Sequence, residues 1–432
     1  MVTKVRELRP IDYVNISVLG FGLAALSTSL GQIILPLRVL DLAPESLKNT
    51  YLGILTFAAM ATAMLVQLVV GYFSDRTTLR WGRRRPYIAA GSILATVLMV
   101  GIGMAMSYLW LVVAVVLVQT SANIAQSPYD AVVKDQVPQS QRGRVSSIRA
   151  IAGASGAVLL VLITGFIMDR HVVKERDFWL WLALALPAVI MAITMIWTVV
   201  AVRDERVAKP PQKESGRDKP RDGKAHPQLG RLLAAGFFFT LAGGILQTYT
   251  LFFLKDVVEL ENPASAVGIL AVAVGLTIII TLYPAGALAD RLGRKPLLYI
   301  SAALGSTGSL LFFLAQNLTH VVLIGILLGV AVGIFMSAGR ALITDMVSER
   351  RAAQQLGLAN FALLGGLAVA KLGGVGIDFL NGFSDNLGYY ALLTLCAASF
   401  CLGALLINSL NLSPPSKVTP PLEPSLGMRP GD

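Results

Sequence analysis

Charged residues are scarce in this sequence. Asp, Glu, Lys and Arg make up 14% of its 432 residues, whereas hydrophobic residues make up 55%. Soluble domains carry about 25% charged residues, so this composition excludes an ordinary water-soluble domain. It indicates a protein that lies mostly within a lipid bilayer.

Histidine and cysteine are also rare. The three histidines, His171, His226 and His320, fall in predicted loops, and Cys396 and Cys401 fall in one apolar stretch. Two cysteines in such a context do not suggest a disulfide framework or a metal cluster. The sequence has no GxxxxGK[ST] phosphate-binding loop, which argues against direct drive by ATP. Because the apolar segments also hold no nucleophile–base pair, we expect neither an enzyme nor a protein that holds a cofactor or metal ion.

Long charge-free runs dominate the sequence instead. Two runs of 44 residues lie between Arg85 and Asp130 and between Lys295 and Arg340. Each is long enough for two membrane crossings of about 20 residues, and eight further runs suit one crossing each. Spans of this length must be helical, because lipid offers the backbone no hydrogen-bond partners. The predicted fold class is an all-α integral membrane protein with twelve transmembrane helices.

The distribution of positive charge predicts the orientation. The formal net charge is +11, and 29 of the 36 Lys and Arg residues fall on one side of the twelve predicted spans, with six on the other. Excess Lys and Arg marks the cytoplasmic side, so we expect both termini there. The basic charge therefore reflects topology and is not a nucleic-acid site. We expect a multi-pass monomer in the plasma membrane, or in the bacterial inner membrane if the cell is prokaryotic.

One block near the predicted cytoplasmic edge occurs twice. Residues 71–86 read GYFSDR, a five-residue spacer and GRRRP, and residues 286–296 read GALADR, a one-residue spacer and GRKP. Aspartates match across the two copies at separations of 209 to 215 residues: Asp75 with Asp290, Asp135 with Asp345, and Asp169 with Asp378. So small a drift indicates two halves with one architecture. Such internal repeats are typical of membrane transporters.

Composition predicts the domain boundaries. The stretch between the halves is rich in Lys, Arg, Pro, Asp and Gly, and the end of the chain is rich in proline. We therefore expect a six-helix bundle over residues 1–202, a mobile cytoplasmic linker over 203–230, a second six-helix bundle over 231–412, and a disordered tail over 413–432.

The doubled block has a mechanical interpretation as a conformational latch. Its glycines would allow close helix approach, its aspartates would cap a helix N-terminus or pair with a basic residue, and its arginines would anchor the loop at the phosphate level. The predicted latch residues are Gly71, Asp75, Arg76, Arg83, Gly286, Asp290, Arg291 and Arg294. The alternative is that the block only anchors the topology.

The block also carries a resemblance to a known family. The chain resembles the major facilitator superfamily, whose signature lies between helices 2 and 3. The longer form GYFSDRTTLRWGRRRPY and the NIAQSP of residues 123–128 are similar to the sucrose:proton and glycoside–cation symporters. The resemblance implies two six-helix bundles around a cavity lined chiefly by helices 1, 4, 7 and 10. Asp130 stands where plant sucrose carriers have an arginine, so a sugar site built on that arginine is not implied.

The fourth predicted helix carries a polar stripe. Gln119, Asn123, Gln126 and Asp130 are spaced by 4, 3 and 4 residues, which places them on one helical face. Polar residues within a span normally face the bundle interior or a cavity. We expect them to line a substrate cavity together with Gln32 of the first helix and Gln247 and Tyr249 of the seventh. The alternative is that they join helices to one another.

Asp130 and two cations are candidates for coupling or gating. Asp130 matches Arg340 at a separation of 210 residues, and we expect an ion pair between the halves that closes the cytoplasmic side. The alternative is local pairing, of Asp130 with Lys134 and of Arg340 with Asp345. Asp130 is also the carboxylate best placed for proton coupling.

Lys371 is a cation inside the eleventh predicted helix. We expect its side chain to extend along the helix to the external surface. The alternative is contact with an anionic substrate group or with Asp378.

The sequence therefore predicts a secondary active transporter that moves a small polar solute, a sugar or glycoside, by proton symport. Its partners would be this solute, a proton and the lipid bilayer. The alternatives are an efflux carrier for amphipathic compounds and a non-transporting membrane factor of the same fold.

Overall fold

In the part of the chain that the structure describes, twelve helices are long and apolar enough to cross a membrane, as predicted. The computed structural model describes residues 8–77, 79, 81–174, 177–201, 228–347 and 352–410. In the first half the helices are α1 Pro10–Leu42, α2 Glu45–Arg76, α3 Arg85–Gly103, α4 Tyr108–Val133, α5 Arg142–His171 and α6 Asp177–Ala201. In the second half they are α7 Leu229–Asp256, α8 Pro263–Ala289, α9 Arg294–Leu314, α10 Leu318–Met346, α11 Gln355–Asn381 and α12 Leu387–Asn408. Each is long enough to cross a bilayer.

The two ends of α1 distinguish the two sides of the protein. We call the side on which α1 begins the inner side and the side on which α1 ends the outer side; the positive charges predict that the inner side is the cytoplasm. The predicted linker and tail lie mostly outside the described residues, so their state stays a prediction. Helix α7 begins at Leu229, two residues inside the stretch predicted as linker.

Helices α1, α10 and α11 depart from regular α geometry within their length. Wider π-helical turns occur at Leu30–Ile34 in α1 and at Phe335–Gly339 in α10. Helix α11 is interrupted at Leu372, between one segment that ends at Lys371 and another that begins at Gly373. Such turns and breaks are enriched at functional positions of helices. They occur here on α1 and α10, two of the four helices expected to line the cavity, and on α11.

The two halves approach each other closely near the outer side. Helix α5 packs against α8, and α2 packs against α11. At these contacts a Cβ on Gly165 would lie under 3.0 Å from the Ala264 carbonyl oxygen, and a Cβ on Gly374 would lie under 3.0 Å from that of Asn49. Glycine is required there because the opposite backbone occupies the space of any side chain.

On the inner side, the described helices of the two halves show no packing comparable to that of α5 with α8 or of α2 with α11. The hydrogen bonds and ion pairs identified between the halves, among the described residues, lie near the outer side. The structure is therefore closed on the outer side and open on the inner side.

Candidate functional site

A cavity of about 450 Å³ lies in the first half, between α1, α4 and α5. Its polar lining consists of Ser27, Gln126, Asp130, Ser146 and Arg149. Small residues such as Gly20 and Ala24 of α1 and Ala150 and Gly153 of α5 line much of the remainder. Because these residues carry little side-chain volume, the space between the three helices stays open.

The polar groups of the cavity centre on Asp130. Its carboxylate lies 2.6 Å from the Arg149 guanidinium, and it accepts two hydrogen bonds from the Gln126 amide nitrogen at 2.9 and 3.0 Å. The Asp130 side chain is 51% exposed and that of Arg149 is 17% exposed. The carboxylate is therefore held by charge-assisted hydrogen bonds while part of it remains open to the cavity.

Tyr129 packs against Arg149 and joins these polar residues to α1. The Arg149 guanidinium lies 4.0 Å from the centre of the Tyr129 ring, a distance at which a cation–π attraction operates. The Tyr129 hydroxyl donates to the Ser17 carbonyl oxygen at 3.1 Å and accepts from the Gly20 amide at 3.0 Å. Tyr129 therefore links Arg149 to the backbone of α1.

The predicted stripe on α4 divides into two parts. Gln126 and Asp130 line the cavity as described, but Asn123 is only 7% exposed. Its amide oxygen accepts from Gln67 of α2 at 2.9 Å, and its amide nitrogen donates to the Gln119 carbonyl oxygen at 2.8 Å. Asn123 therefore joins α4 to α2, which was the alternative interpretation for this residue, and Gln119 is half-buried beside it.

The other predicted cavity residues occupy three different environments. Gln32 is half-buried within the π-helical turn of α1, and Gln247 is exposed on α7. Tyr249 is buried, with 3% of its surface exposed. Its hydroxyl donates to the Lys371 carbonyl oxygen at 2.5 Å and accepts from the Gly374 amide at 2.6 Å. In this state Tyr249 bridges the interruption of α11 and presents no hydroxyl to a solute.

Arg340 is not the partner of Asp130 in the inner-open state. Arg340 is exposed and shows no ion pair among the described residues. Its local alternative, Asp345, is instead bound by Arg294, and the Lys134 side chain lies outside the described residues. An Asp130–Arg340 pair remains a prediction for a state closed on the inner side.

Lys371 points into the protein and not along α11 to the outer surface as expected. Its ammonium donates to the Thr248 hydroxyl of α7 at 2.8 Å. It does not bind Asp378, whose oxygens accept from Asn49 and Thr50 of α2. The expected extension to the surface is not observed, and the ammonium is bound to Thr248 instead.

The first copy of the doubled block is organised by Arg84, which the sequence analysis did not single out as a site residue. The Arg84 guanidinium is 2.6 Å from Asp75, 2.9 Å from Asp135 and 2.8 Å from the Ser74 hydroxyl. Arg83 lies 2.6 Å from the same Asp135. Of the two alternatives for Asp75, the structure shows pairing with a basic residue. The signal for Arg84 was available, since GRRRP places three arginines within ten residues of Asp75 and on the same predicted side of the membrane as Asp135.

The second copy repeats part of this arrangement. Arg294 binds Asp345 and donates to the Ala341 carbonyl oxygen at 2.7 Å, as Arg83 binds Asp135 in the first half. Gly286 faces the Ser337 hydroxyl, as Gly71 faces that of Ser127.

Three predicted latch residues lie outside this common pattern. Arg76 contacts the Tyr72 ring, Arg291 is exposed, and the Asp290 side chain lies outside the described residues. The contacts of both copies stay within their own halves among the described residues, so the latch role remains a prediction for the other state.

Arg149 is a further residue that sequence reasoning missed. The sequence assigned it no role, although α5 begins at Arg142 and Arg149 lies about two turns inside the helix. A cation at that depth normally has a partner or a cavity.

The family assignment follows from a sequence comparison. A family model described as "MFS/sugar transport protein" matches residues 33–354, more than half of the chain. The chain belongs to this family. It is accordingly a multi-pass transporter of the major facilitator superfamily, as its doubled block suggested.

Individual relatives of this transporter are distant or only partly matched. An uncharacterised MFS-type transporter of Methanocaldococcus jannaschii is 22% identical over 353 residues, 80% of this chain and 83% of that protein. The human proton-associated sugar transporter A is 27% identical over 180 residues, 38% of this chain and 24% of that protein. A sucrose transport protein of Oryza sativa subsp. japonica is 55% identical over 40 residues, 9% of this chain and 7% of that protein. The alignment thus spans most of the archaeal relative but about a quarter or less of the other two.

Solved structures share the fold. A D-xylose–proton symporter superposes with a TM-score of 0.73 at 15% identity, covering 92% of this chain and 97% of that one. A nucleoside transporter mutant superposes with a TM-score of 0.70 at 13% identity, covering 92% and 98%. At these identities the similarity establishes the major facilitator fold alone.

Proposed function

We propose that this transporter moves a small polar solute, a sugar or glycoside, by alternating access, together with a proton in the same direction. The observation that carries the proposal is the cluster of Asp130, Arg149 and Gln126 on the cavity wall. Carboxylate, guanidinium and amide groups together supply the acceptors and donors that sugar hydroxyls require. The cavity volume falls within the range of about 300–1,000 Å³ that is typical of small-molecule sites.

We assign proton coupling to Asp130. Its carboxylate oxygens accept hydrogen bonds from Arg149 and Gln126. A proton on Asp130 would remove the charge that holds Arg149 and would free donors for the solute. Protonation of Asp130 would thus favour solute binding, and proton and solute would be coupled through the same three side chains. The name of the human relative, a proton-associated sugar transporter, supports this choice of coupling ion.

The inner side is proposed to be the cytoplasm, because the Lys and Arg residues of the sequence are concentrated in the segments on that side. We propose that the protein works as a monomer in the plasma membrane. The structure would then be the state that exchanges solute with the cytoplasm.

Reconstituted protein tests this function. Proteoliposomes would be assayed for uptake of radiolabelled sucrose, maltose, D-xylose and methyl glucoside, with a lipophilic cation as the competing class, under an imposed proton gradient. We expect accumulation of at least one sugar or glycoside, and its loss when a protonophore is added. Transport of the lipophilic cation alone would overturn the sugar assignment in favour of an efflux carrier.

A substitution tests the coupling role. Asp130→Asn should abolish gradient-driven accumulation while solute exchange without a gradient persists. Asp385→Asn is the matched control, because Asp385 is exposed on the outer side and belongs to none of the sites described. Unchanged accumulation by Asp130→Asn would reject Asp130 as the coupling group.

A further inference from the structure

A buried aspartate on α5 caps a helix of the other half. Asp169 lies near the outer end of α5 and is 8% exposed. Its two carboxylate oxygens accept hydrogen bonds from the Ala264 amide at 3.0 Å and the Ser265 amide at 2.8 Å. Both amides belong to the first turn of α8, where backbone donors have no partner within the helix. This contact joins the first half to the second.

A second buried aspartate makes the reciprocal contact. Asp378 lies near the outer end of α11 and is 9% exposed. One of its oxygens accepts from the Thr50 amide at 2.6 Å, and the other accepts from the Asn49 side-chain nitrogen at 2.8 Å. Thr50 and Asn49 lie at the start of the α-helical part of α2. This contact joins the second half to the first.

The internal repeat relates the two contacts, because both the capping residues and the capped residues occupy matched positions. On the capping helices the separation is 209 residues, and on the capped helices it is 215 residues. The matched positions are Asp169 with Asp378 and Gly165 with Gly374 on the capping side, and Asn49 with Ala264, Thr50 with Ser265, and Gly53 with Gly268 on the capped side. The same type of contact therefore occurs twice. In one, the first half caps a helix of the second, and in the other the second half caps a helix of the first.

The physics of the contact makes each carboxylate dependent on closure. A carboxylate at a helix N-terminus is stabilised by the free amides and by the positive end of the helix dipole. These donors come from the opposite half, so separation of the halves on the outer side removes them. We propose that Asp169 and Asp378 form a doubled outer gate, in which the two repeat-related caps hold the outer side closed and set the free energy of opening it.

This outer gate is not symmetric in its surroundings. Near Asp378, Lys48 of α2 lies 2.8 Å from Asp256 of α7, which makes a second ionic link between the halves. The Tyr389 hydroxyl also donates to Asp256 at 2.5 Å. Among the described residues, no ion pair reinforces the Asp169 contact in the same way. Loss of the Asp169 cap should therefore open the outer side more than loss of the Asp378 cap.

The proposal rests on the alternating-access function, but its test needs no solute. Spin labels would be attached through Leu47→Cys and Ser384→Cys, which are exposed at the outer ends of the two halves, in a Cys401→Ser background. Electron–electron distance measurements in lipid nanodiscs then give the ratio of outer-open to outer-closed protein.

Removal of one cap should raise that ratio by about fivefold, within a range of roughly 2- to 30-fold for the loss of a helix-capping group. We therefore expect this change for Asp169→Ala and Asp378→Ala, the larger for Asp169→Ala, and about 25-fold for the double variant. Asp169→Asn and Asp378→Asn preserve side-chain size and one acceptor oxygen, so they should give smaller shifts and guard against failure to fold.

Asp385→Ala provides the control, since it removes an exposed carboxylate on the same side and should leave the ratio unchanged. A wild-type ratio in folded Asp→Asn and Asp→Ala variants alike would overturn the gate. Because the measurement is made without solute, a failure to transport sugars leaves this result intact and refutes only the proposed function.

Discussion

The Asp130 carboxylate and the Arg149 guanidinium lie 2.6 Å apart on neighbouring helices of one half, α4 and α5. Because both helices belong to the same half, this pair can form or break without movement of the halves against each other. Both residues line the cavity, so a solute or proton that enters the cavity can reach the pair. The pair is thus suited to sensing a solute or a proton, whereas a pair between the halves would be suited to holding one side closed.

Arg149→Gln should weaken solute binding by roughly 10- to 100-fold. A hydrogen bond to a charged group contributes about 1.5–3 kcal/mol, and this substitution also leaves Asp130 without its cationic partner. Isothermal titration of the purified transporter with the sugar that it accumulates measures the change. Arg144→Gln is the matched control, because Arg144 is exposed near the start of the same helix.

The coupling between the two residues can be measured separately. In a double-mutant cycle, Asp130→Asn combined with Arg149→Gln should lose less binding free energy than the sum of the two single losses, since residues in direct contact are not additive. Additive losses would show that the ion pair plays no part in binding.

Tyr249→Phe should destabilise the protein by about 1–3 kcal/mol. The substitution removes the hydroxyl that bridges the Lys371 carbonyl and the Gly374 amide, and buried backbone groups left without a partner carry a cost of this size. Thermal unfolding in detergent, followed by circular dichroism, provides the measurement. Tyr283→Phe is the control because Tyr283 is 85% exposed, and an equal loss in both variants would contradict the bridging role.

Arg84→Ala should loosen the inner ends of α2 and α4 and slow transport. Arg84 is the group that binds both Asp75 and Asp135, so its removal leaves two carboxylates without that cation. Arg84→Lys should restore little of the transport rate, because an ammonium cannot reproduce the planar arrangement of hydrogen-bond donors in a guanidinium. The initial rate of solute exchange is the measurement, with Arg144→Ala as the control. Full rescue by lysine would show that charge alone matters.

The sequence was sufficient to predict the features that depend on composition and period. The twelve spans followed from charge-free runs, and the repeat register matched Asp169 with Asp378 before either had a role. That register alone does not reveal the capping contacts, because capping depends on which helix end lies opposite each carboxylate. No spacing in the sequence links Asp169 to Ala264, since the contact is made between the halves.

The candidate site was less predictable from the sequence, because its residues depend on how each helix is rotated and on which helices lie beside it. Asn123 and Asp130 were placed on one face of α4, but a helix buried on several sides contacts different neighbours along that face. Asn123 meets Gln67 of α2, and Asp130 meets Arg149 of α5. Periodicity specifies the face of a helix, whereas tertiary packing decides whether that face meets a cavity or another helix.

Gly374→Ala should shift the transporter toward the outer-open state. A Cβ at this position would lie under 3.0 Å from the carbonyl oxygen of Asn49 and 2.9 Å from the Tyr249 hydroxyl oxygen, both of which are held in place by the closed contact. Overpacking of this kind costs roughly 1–3 kcal/mol, and the halves avoid that cost by separating on the outer side.

Gly376→Ala supplies an unusually close control for this prediction. Gly376 lies two residues further along the same helical segment, and a Cβ there would meet nothing within 4 Å. Both substitutions change helix propensity by about the same amount, so a difference between them reports the contact alone. The spin-label distances between Leu47→Cys and Ser384→Cys should lengthen for Gly374→Ala and stay unchanged for Gly376→Ala. Equal distances in the two variants would mean that the approach of α11 to α2 does not limit closure of the outer side.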